Sequence, residues 1–271
     1  MAHMRDMNQL LGTHDILFVT LDTLRYDVAA RLHAEGRTPN LSRHLPPGGW
    51  EKRHTPGSFT FAAHAAFFAG FFPTPAVPGK HPRPFALSFP GSETTTPETA
   101  GFDSPDIVTG LGEHAYYYTI CVGGVGFFNK QTPLGCVLPD LFDESHWSPE
   151  LGVTNPRSTE HQVTLALRRV AEIPGRVFLF LNVSAIHQPN RFYLEGAVED
   201  TIASHAAALE YVDGELGRLL AGLRNRGPWF AIVCSDHGTT YGEDGFTGHR
   251  LAHPTVWDVP YAEFILSGEA G

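Results

Sequence analysis

The sequence lacks the features that mark a membrane protein, a disulfide-bonded protein or a nucleic-acid-binding protein. No run approaches the roughly 18 apolar residues of a membrane span, and the amino terminus has no apolar signal-peptide core. The three cysteines, Cys121, Cys136 and Cys234, have no metal-ligand spacing, so we expect free, buried thiols in or near strands. The net charge of −10 argues against nucleic acid or an anionic membrane as a partner. We therefore expect a cytoplasmic protein that meets any anionic substrate through a local site.

What is present is the composition of a globular α/β protein. The 271 residues are 42% apolar and 18% charged, which suits one large domain with a buried core. Four apolar runs without polar alternation are typical of parallel strands covered on both faces, and helical patterns separate them. We predict an α/β fold with a predominantly parallel central sheet and helices on both faces, formed as a single domain over residues 1–271. The predicted strands are 16–21, 117–122, 177–183 and 230–234.

Helices and one long excursion are predicted around these strands. Apolar spacings of three and four predict a buried helix over residues 60–70 and a long helix with one apolar face over residues 202–223. Thr159 and Gln162 form the pattern of a capping box at the start of a third helix. The Pro- and Gly-rich residues 71–102 predict an irregular excursion of the kind that often forms lids and binding loops.

Carboxylates and imidazoles follow the predicted strands, at the edge where open α/β sheets bind ligands. Asp22 follows the first strand, and Asp236 and His237 follow the fourth. Their oxygen and nitrogen atoms suit a divalent cation, with the Thr60 hydroxyl as a further ligand. Each residue alone also has an ordinary role, because Asp and Thr commonly cap turns and helices. Because all four residues stand at strand ends or at a helix start, a shared metal site is favoured over separate capping roles.

Thr60 stands in the first turn of the predicted helix over residues 60–70. A helix start offers free N–H donors and the positive end of the helix dipole, which together attract a phosphate-like anion. Metal contact lowers the pKa of a hydroxyl and makes it a nucleophile. A simple helix cap is the alternative, but the neighbouring metal-ligating types favour a nucleophile directed at a bound anion.

Four sequence blocks occur in the order ILFVTLDTLRYD, TFAAHAAFFAGFFP, FLFLNVSAIHQPN and IVCSDHGTTYGEDGFTGH. Together they resemble the alkaline phosphatase superfamily, in particular its sulfatase-like and phosphodiesterase branches. The resemblance implies an alkaline phosphatase-like fold and a metal held by Asp22, Thr60, Asp236 and His237. It also implies that Thr60 is a covalently phosphorylated nucleophile.

The resemblance places two further histidines at the site and leaves the number of metal ions open. His187 and His249 fall where the superfamily has either second-metal ligands or groups that contact the substrate and the leaving oxygen. Arg191 stands where two-metal members have a histidine, and an arginine binds a phosphate oxygen rather than a metal. This departure favours one ion, zinc or manganese, over two. If a second metal binds, His253 is a candidate ligand for it.

Two other departures bear on the reaction. Thr60 stands where sulfatases have a Cys or Ser that becomes formylglycine, and a secondary alcohol cannot yield that aldehyde, so sulfate-ester hydrolysis is disfavoured. The segment VGGVGFFNKQTPLG lacks the Lys and His of the Gly-Lys-x-His block of sulfatases. Lys130 or Asn129 is a candidate substitute in contacting the anion.

The predicted function is metal-dependent hydrolysis or transfer of a small, anionic phosphate ester through phospho-threonine, with a diester preferred to a monoester. His187 or His249 would protonate the leaving oxygen. His64, one turn after Thr60, either packs in the core or contacts the substrate. The alternatives are a metal-dependent phosphomutase and a non-catalytic, metal-stabilised binding or scaffold protein. The sequence indicates no membrane partner and leaves the oligomeric state open.

Overall fold

A seven-stranded sheet forms the centre of the computed structural model, which describes residues 6–69 and 106–268. The predicted excursion at 71–102 lies outside the described residues. A separate two-stranded hairpin is formed by β7 and β8. The strands are β1 (Asp15–Leu21), β2 (Glu51–His54), β3 (Tyr118–Val122), β4 (Glu144–His146), β5 (Val177–Val183), β6 (Trp229–Cys234), β7 (Thr240–Tyr241), β8 (Thr247–Gly248) and β9 (Asp258–Leu266).

Helices connect these strands. The α-helices are α1 (Tyr26–Ala34), α2 (Pro39–Ser42), α3 (Thr60–Ala69), α4 (Ile107–Glu113), α5 (Pro133–Val137), α6 (Ser158–Glu172), α7 (Ile202–Arg224) and α8 (Pro254–Trp257). Short 3-10 turns are Met7–Gln9, Gly126–Phe128, Pro139–Leu141, Pro149–Leu151, Arg191–Tyr193 and Glu243–Gly245.

The sheet has the order β2-β9-β6-β1-β5-β3-β4 and is mostly parallel. Strands β6, β1, β5, β3 and β4 run parallel, whereas β9 is antiparallel to both β6 and β2. The four strands predicted from apolar runs are therefore confirmed, and so is the α/β class. The sequence analysis missed β9, whose alternating burial is the pattern of a strand that is less covered on one face.

Helices cover both faces of the sheet. Successive strand residues point to opposite sides, so neighbouring residues of one strand pack in different clusters. Leu17 and Val19 pack in a cluster with the apolar faces of α1, α6 and α7. Ile16 belongs to the other cluster, with Phe68 of α3 and Val108 of α4. The predicted helices on both faces are thus confirmed. No helix among the described residues is both long and apolar enough to cross a membrane.

Two local predictions are wrong. Helix α6 begins at Ser158, with Arg157 as a cap that makes no side-chain bond, so Thr159 lies inside the helix and forms no capping box. The reciprocal capping box belongs instead to α7, between Thr201 and Ser204. Cys136 lies in the short helix α5 and is only partly buried, unlike the strand cysteines.

Candidate active site

Two buried carboxylates meet where β1 and β6 end. Asp22 follows β1 directly, and its backbone N–H donates to the carbonyl of Val183 at 3.1 Å, which continues the parallel ladder with β5. Asp236 lies two residues beyond β6, and its Oδ1 accepts from the backbone N–H groups of Thr23 (3.2 Å) and His237 (2.9 Å). Burial raises the pKa of both carboxyls, and the facing Asp236 charge raises that of Asp22 further. Two buried carboxylates this close repel each other when both are ionised, unless a cation offsets their charge.

His237 presents one ring nitrogen to these carboxylates. Its Nδ1 lies 2.9 Å from the carbonyl oxygen of Gly238, which can only accept, so Nδ1 carries the proton and donates. The Nε2 lone pair then faces Asp236 Oδ2 at 3.5 Å and Asp22 Oδ1 at 3.9 Å. Burial lowers the pKa of His237. A neutral imidazole with a free Nε2 is the form that binds a metal.

Thr60 is brought to the same point by helix α3, of which it is the first residue. Its hydroxyl donates to Asp22 Oδ2 at 3.4 Å and lies 3.3 Å from His237 Nε2. Both distances are long for hydrogen bonds. Such spacing is typical of side chains that surround a shared ligand position instead of bonding directly to one another. The predicted association of these four residues is present in the structure.

The donor set fits a divalent cation. Ligand atoms of Asp22, Asp236 and His237 all lie within 4.8 Å of one another, and all three residues are buried. One oxygen of each carboxylate, Asp22 Oδ1 and Asp236 Oδ2, is buried without a hydrogen-bond partner. Buried carboxylate oxygens rarely remain unpartnered, and a cation would satisfy both. Two carboxylates, one imidazole and one hydroxyl are ligand types that suit zinc or manganese.

A polar network supports Asp22 from the neighbouring strand. The side-chain amide of Asn182, at the end of β5, lies 3.4 Å from Asp22 Oδ2 and donates to Thr20 Oγ1 at 3.2 Å. The Asn182 backbone carbonyl accepts from Gln162 of α6 at 2.7 Å. These bonds fix the orientation of the carboxylate, as partners behind metal ligands commonly do.

His187 and His249 lie next to this group rather than within it. The His249 ring centroid is 4.6 Å from that of His237 and 5.6 Å from that of His187. Burial and the neighbouring imidazoles lower the pKa of His249 to about 3. His187 Nδ1 donates to the carbonyl of Gln188, which leaves Nε2 free. Both histidines line a cavity of about 500 Å³ that Thr60 also borders.

Arg250 lines the same cavity, and the sequence analysis did not identify it. Its position could have indicated the site, because it directly follows the Gly248-His249 pair of the fourth sequence block. The cations that were predicted instead do not line the cavity. Arg191 stacks on Phe192 at 5.1 Å, and Lys130 pairs with Asp140 at 2.7 Å.

Asn129 and His64, which were candidates for substrate contacts, do not line the cavity either. The Oδ1 of Asn129 accepts from the backbone of Gln131 at 2.9 Å. His64 is fully buried, with Nδ1 2.7 Å from the Thr60 carbonyl and Nε2 2.9 Å from Thr20 Oγ1. Both ring nitrogens are therefore occupied, and aromatic rings surround the imidazole. His64 is a core residue that ties α3 to β1, which was the alternative prediction.

His253 is not available as a ligand for a second metal. The segment after His249 is not helical, and His253 caps α8 by accepting at Nδ1 from the backbone N–H of Thr255 at 3.2 Å. Its Nδ1 also lies 2.7 Å from the Thr255 hydroxyl, and its Nε2 lies 3.1 Å from Asp244 Oδ2. In the described part of the chain, only Asp22, Asp236 and His237 form a group of three or more potential side-chain ligands.

No protein-family model matches the sequence, and no curated protein matches it. Among solved structures, the C-terminal periplasmic domain of phosphoethanolamine transferase EptC from Campylobacter jejuni is 13% identical, with a TM-score of 0.63 over 93% of this chain and 80% of that one. The corresponding zinc complex of EcEptC from Escherichia coli is 12% identical, with a TM-score of 0.63 over 95% of this chain and 74% of that one.

A third similar structure belongs to the alkaline phosphatase superfamily. It is a protein from Vibrio parahaemolyticus, 16% identical, with a TM-score of 0.56 over 95% of this chain and 61% of that one. At such identities the similarity establishes the fold. The chain has the alkaline phosphatase-like fold, as its sequence blocks predicted.

Proposed function

We propose that this protein is a metal-dependent enzyme that hydrolyses or transfers a phosphate ester through a phospho-threonine intermediate on Thr60. The observation that carries the proposal is the position of the Thr60 hydroxyl. It lies at a helix start, 3.3 to 3.4 Å from two members of a buried donor set that fits a cation, and borders a cavity. The fold shared with phosphoethanolamine transferases supports phosphoester chemistry.

Asp22, Asp236, His237 and Thr60 would hold the metal. A bound divalent cation would lower the pKa of the Thr60 hydroxyl and offset charge on the phosphoryl oxygens. The hydroxyl passes its proton to Asp22, to which it donates a hydrogen bond, as its oxygen bonds to phosphorus and the bond from phosphorus to the leaving oxygen breaks. His187 or His249 donates the proton that the leaving oxygen needs. Water or an acceptor alcohol then releases the phosphoryl group.

A phosphodiester is the preferred substrate, because the site offers little positive charge. The described residues provide one group that fits a metal ion and, along the cavity, one arginine. A diester carries a single negative charge, which this arrangement can match better than the double charge of a monoester. A soluble, small anionic phosphoester in the cytoplasm stays our prediction, although two of the similar structures are periplasmic domains.

Thr60→Ala tests the proposal, with Thr60→Ser as the matched control that keeps a hydroxyl. With bis-p-nitrophenyl phosphate as substrate and zinc or manganese supplied, we expect Thr60→Ala to lose turnover and Thr60→Ser to retain part of it. Acid-quenched wild type should carry a p-nitrophenyl phosphoryl group on Thr60 by peptide mass spectrometry, because only one of the two nitrophenols leaves when Thr60 attacks. Full turnover of Thr60→Ala would remove Thr60 from the mechanism. With a phosphomonoester that bears a free hydroxyl as a second substrate, isomerised product without free phosphate would indicate a mutase. Metal binding without turnover of either ester would indicate a scaffold.

A further inference from the structure

Arg250 contributes a cation beside the proposed nucleophile. It is exposed and lines the cavity together with Thr60, His187 and His249. Over residues 6–69 and 106–268, no carboxylate forms an ion pair with it. An arginine at the edge of a cavity without a paired carboxylate retains its charge for a ligand.

Two contacts hold Arg250 against the segment that leads into α3. Its backbone N–H donates to the carbonyl of Ser58 at 2.9 Å, and its guanidinium carbon lies 5.6 Å from the ring centroid of Phe59. Ser58 and Phe59 immediately precede Thr60. Arg250 also has a φ of 70°, a left-handed conformation that is uncommon for residues other than glycine. The chain therefore adopts an unfavourable local conformation at the point where it places this side chain near the nucleophile.

We propose that Arg250 binds the non-bridging oxygens of the phosphoryl group that Thr60 attacks. The inference rests on the proposed function and adds the residue that recognises the anion. A guanidinium has two parallel N–H donors that match two phosphoryl oxygens, and it keeps its charge at any physiological pH. Because negative charge on those oxygens is redistributed during transfer, a fixed cation beside them stabilises the transition state.

The test compares Arg250→Gln and Arg250→Lys with Arg31→Gln, which removes an exposed arginine on α1. We expect kcat/KM for bis-p-nitrophenyl phosphate to fall about 100-fold in Arg250→Gln, less in Arg250→Lys and not at all in Arg31→Gln. Calorimetry with inorganic phosphate and metal-loaded protein should show about tenfold weaker binding to Arg250→Gln. Retained metal content and an unchanged circular dichroism spectrum exclude a folding defect.

The outcomes separate this inference from the proposed function. If Arg250→Gln keeps wild-type turnover and phosphate binding while Thr60→Ala is inactive, the inference is overturned and the proposed function stands. If Thr60→Ala is active, the proposed function fails, and this role of Arg250 fails with it. Phosphate binding that is lost equally in Arg31→Gln would indicate bulk charge and would also overturn the inference.

A different observation concerns the remainder of the cavity. Apart from the histidines and Arg250, its described lining is largely apolar and includes Phe127, Leu134, Trp147 and Val153, with threonine hydroxyls and the indole Nε1 of Trp147 as its polar side-chain atoms. Neither a carboxylate nor a side-chain amide belongs to this described lining. A sugar or polyol substituent has more hydroxyls than these few polar atoms can pair, whereas an aromatic or aliphatic one has no hydroxyls to leave unpaired. We infer that the ester carries an apolar or aromatic substituent.

Trp147→Leu tests this second inference, with Phe192→Leu as the control, because Phe192 is exposed outside the cavity. The readout is the ratio of kcat/KM for a phenyl phosphodiester to that for a glyceryl phosphodiester. We expect the wild type to favour the phenyl ester and Trp147→Leu to lower the ratio about tenfold. A wild-type preference for the glyceryl ester, or an unchanged ratio in Trp147→Leu, would contradict the inference.

Discussion

Arg25 and Glu243, which are 218 residues apart, form an ion pair that joins the N-cap of α1 to the β7–β8 hairpin. The Arg25 side chain is 4% exposed and also pairs with Asp27 at 2.7 Å. Glu243 in turn accepts from the backbone of Tyr241 at 2.6 Å. Since His249 follows the hairpin directly, this ion pair couples the loop that contains Asp22 to the segment that carries the second histidine.

Breaking that pair should cost both stability and activity. Glu243→Gln leaves a buried guanidinium with Asp27 as its remaining carboxylate partner, and we expect a loss of about 2 kcal/mol in the free energy of unfolding and a lower kcat/KM. Glu210→Gln breaks a surface pair with Arg37 and should cost less than about 1 kcal/mol. Urea unfolding and steady-state kinetics of both variants decide the matter. Equal effects would mean that the buried pair does not position the hairpin.

The two histidines of the cavity should differ in their dependence on the leaving group. His187 uses Nδ1 for its hydrogen bond to Gln188 and so keeps Nε2 for a leaving oxygen, whereas the His249 ring centroid lies 4.6 Å from that of His237, a proposed metal ligand. We therefore expect His187 to be the acid. His187→Gln should lower turnover about 100-fold for a poor leaving group such as phenol and much less for p-nitrophenol. His249→Gln should affect both esters equally, and the reverse pattern would exchange the two roles.

The proposed metal site can be tested without any substrate. Wild type purified without chelator should contain about one metal ion per chain by elemental mass spectrometry, and Asp236→Asn should contain far less. Added zinc or manganese should raise the melting temperature of the wild type but not of Asp236→Asn. His253→Gln is the control, because Asp244 and Thr255 occupy its ring. Loss of metal from His253→Gln would restore the two-metal alternative.

Gly238, next to the proposed metal ligand His237, leaves no room for a side chain. A Cβ on Gly238 would lie 1.9 Å from the carbonyl oxygen of Thr255, a backbone atom that cannot move independently. Gly238→Ala should therefore destabilise the protein by about 2 kcal/mol or more and reduce metal content. Gly214→Ala, in the open middle of α7, should be neutral or stabilising by up to about 1 kcal/mol. Thermal unfolding and metal analysis compare the two.

His205 should make stability depend on pH. It is fully buried, its ring contacts the Tyr241 hydroxyl at 3.0 Å, and burial lowers its pKa from 6.5 to about 3. The unfolded chain therefore binds more protons than the native chain between those values, so this contribution is complete above about pH 6.5 and is lost as pH falls. From about pH 7.5 to pH 5, wild type should lose about 2 kcal/mol more than His205→Gln. Parallel curves for the two proteins would contradict this.

The sequence by itself determined the parallel part of the sheet and the association of Asp22, Asp236 and His237, the group proposed to bind a metal. Unbroken apolar runs specify strands that are buried on both faces, and parallel strands end at one edge. Asp22 and Asp236, each within two residues of a strand end, therefore had to meet, and His237 beside Asp236 came with them. The small, apolar residues after Thr60 specify a buried helix, so the threonine was placed at a helix start.

Only the tertiary structure decided which other polar residues belong to the site. The side chains of Arg191, Lys130 and His253 lie on loops and short helices whose course depends on distant partners, and local spacing carries no information on those partners. The same applies to Arg250, whose position depends on Ser58 and Phe59, almost 200 residues earlier in the chain. Strand ends are set by local hydrophobicity, whereas loop side chains are set by contacts that form only when the chain folds.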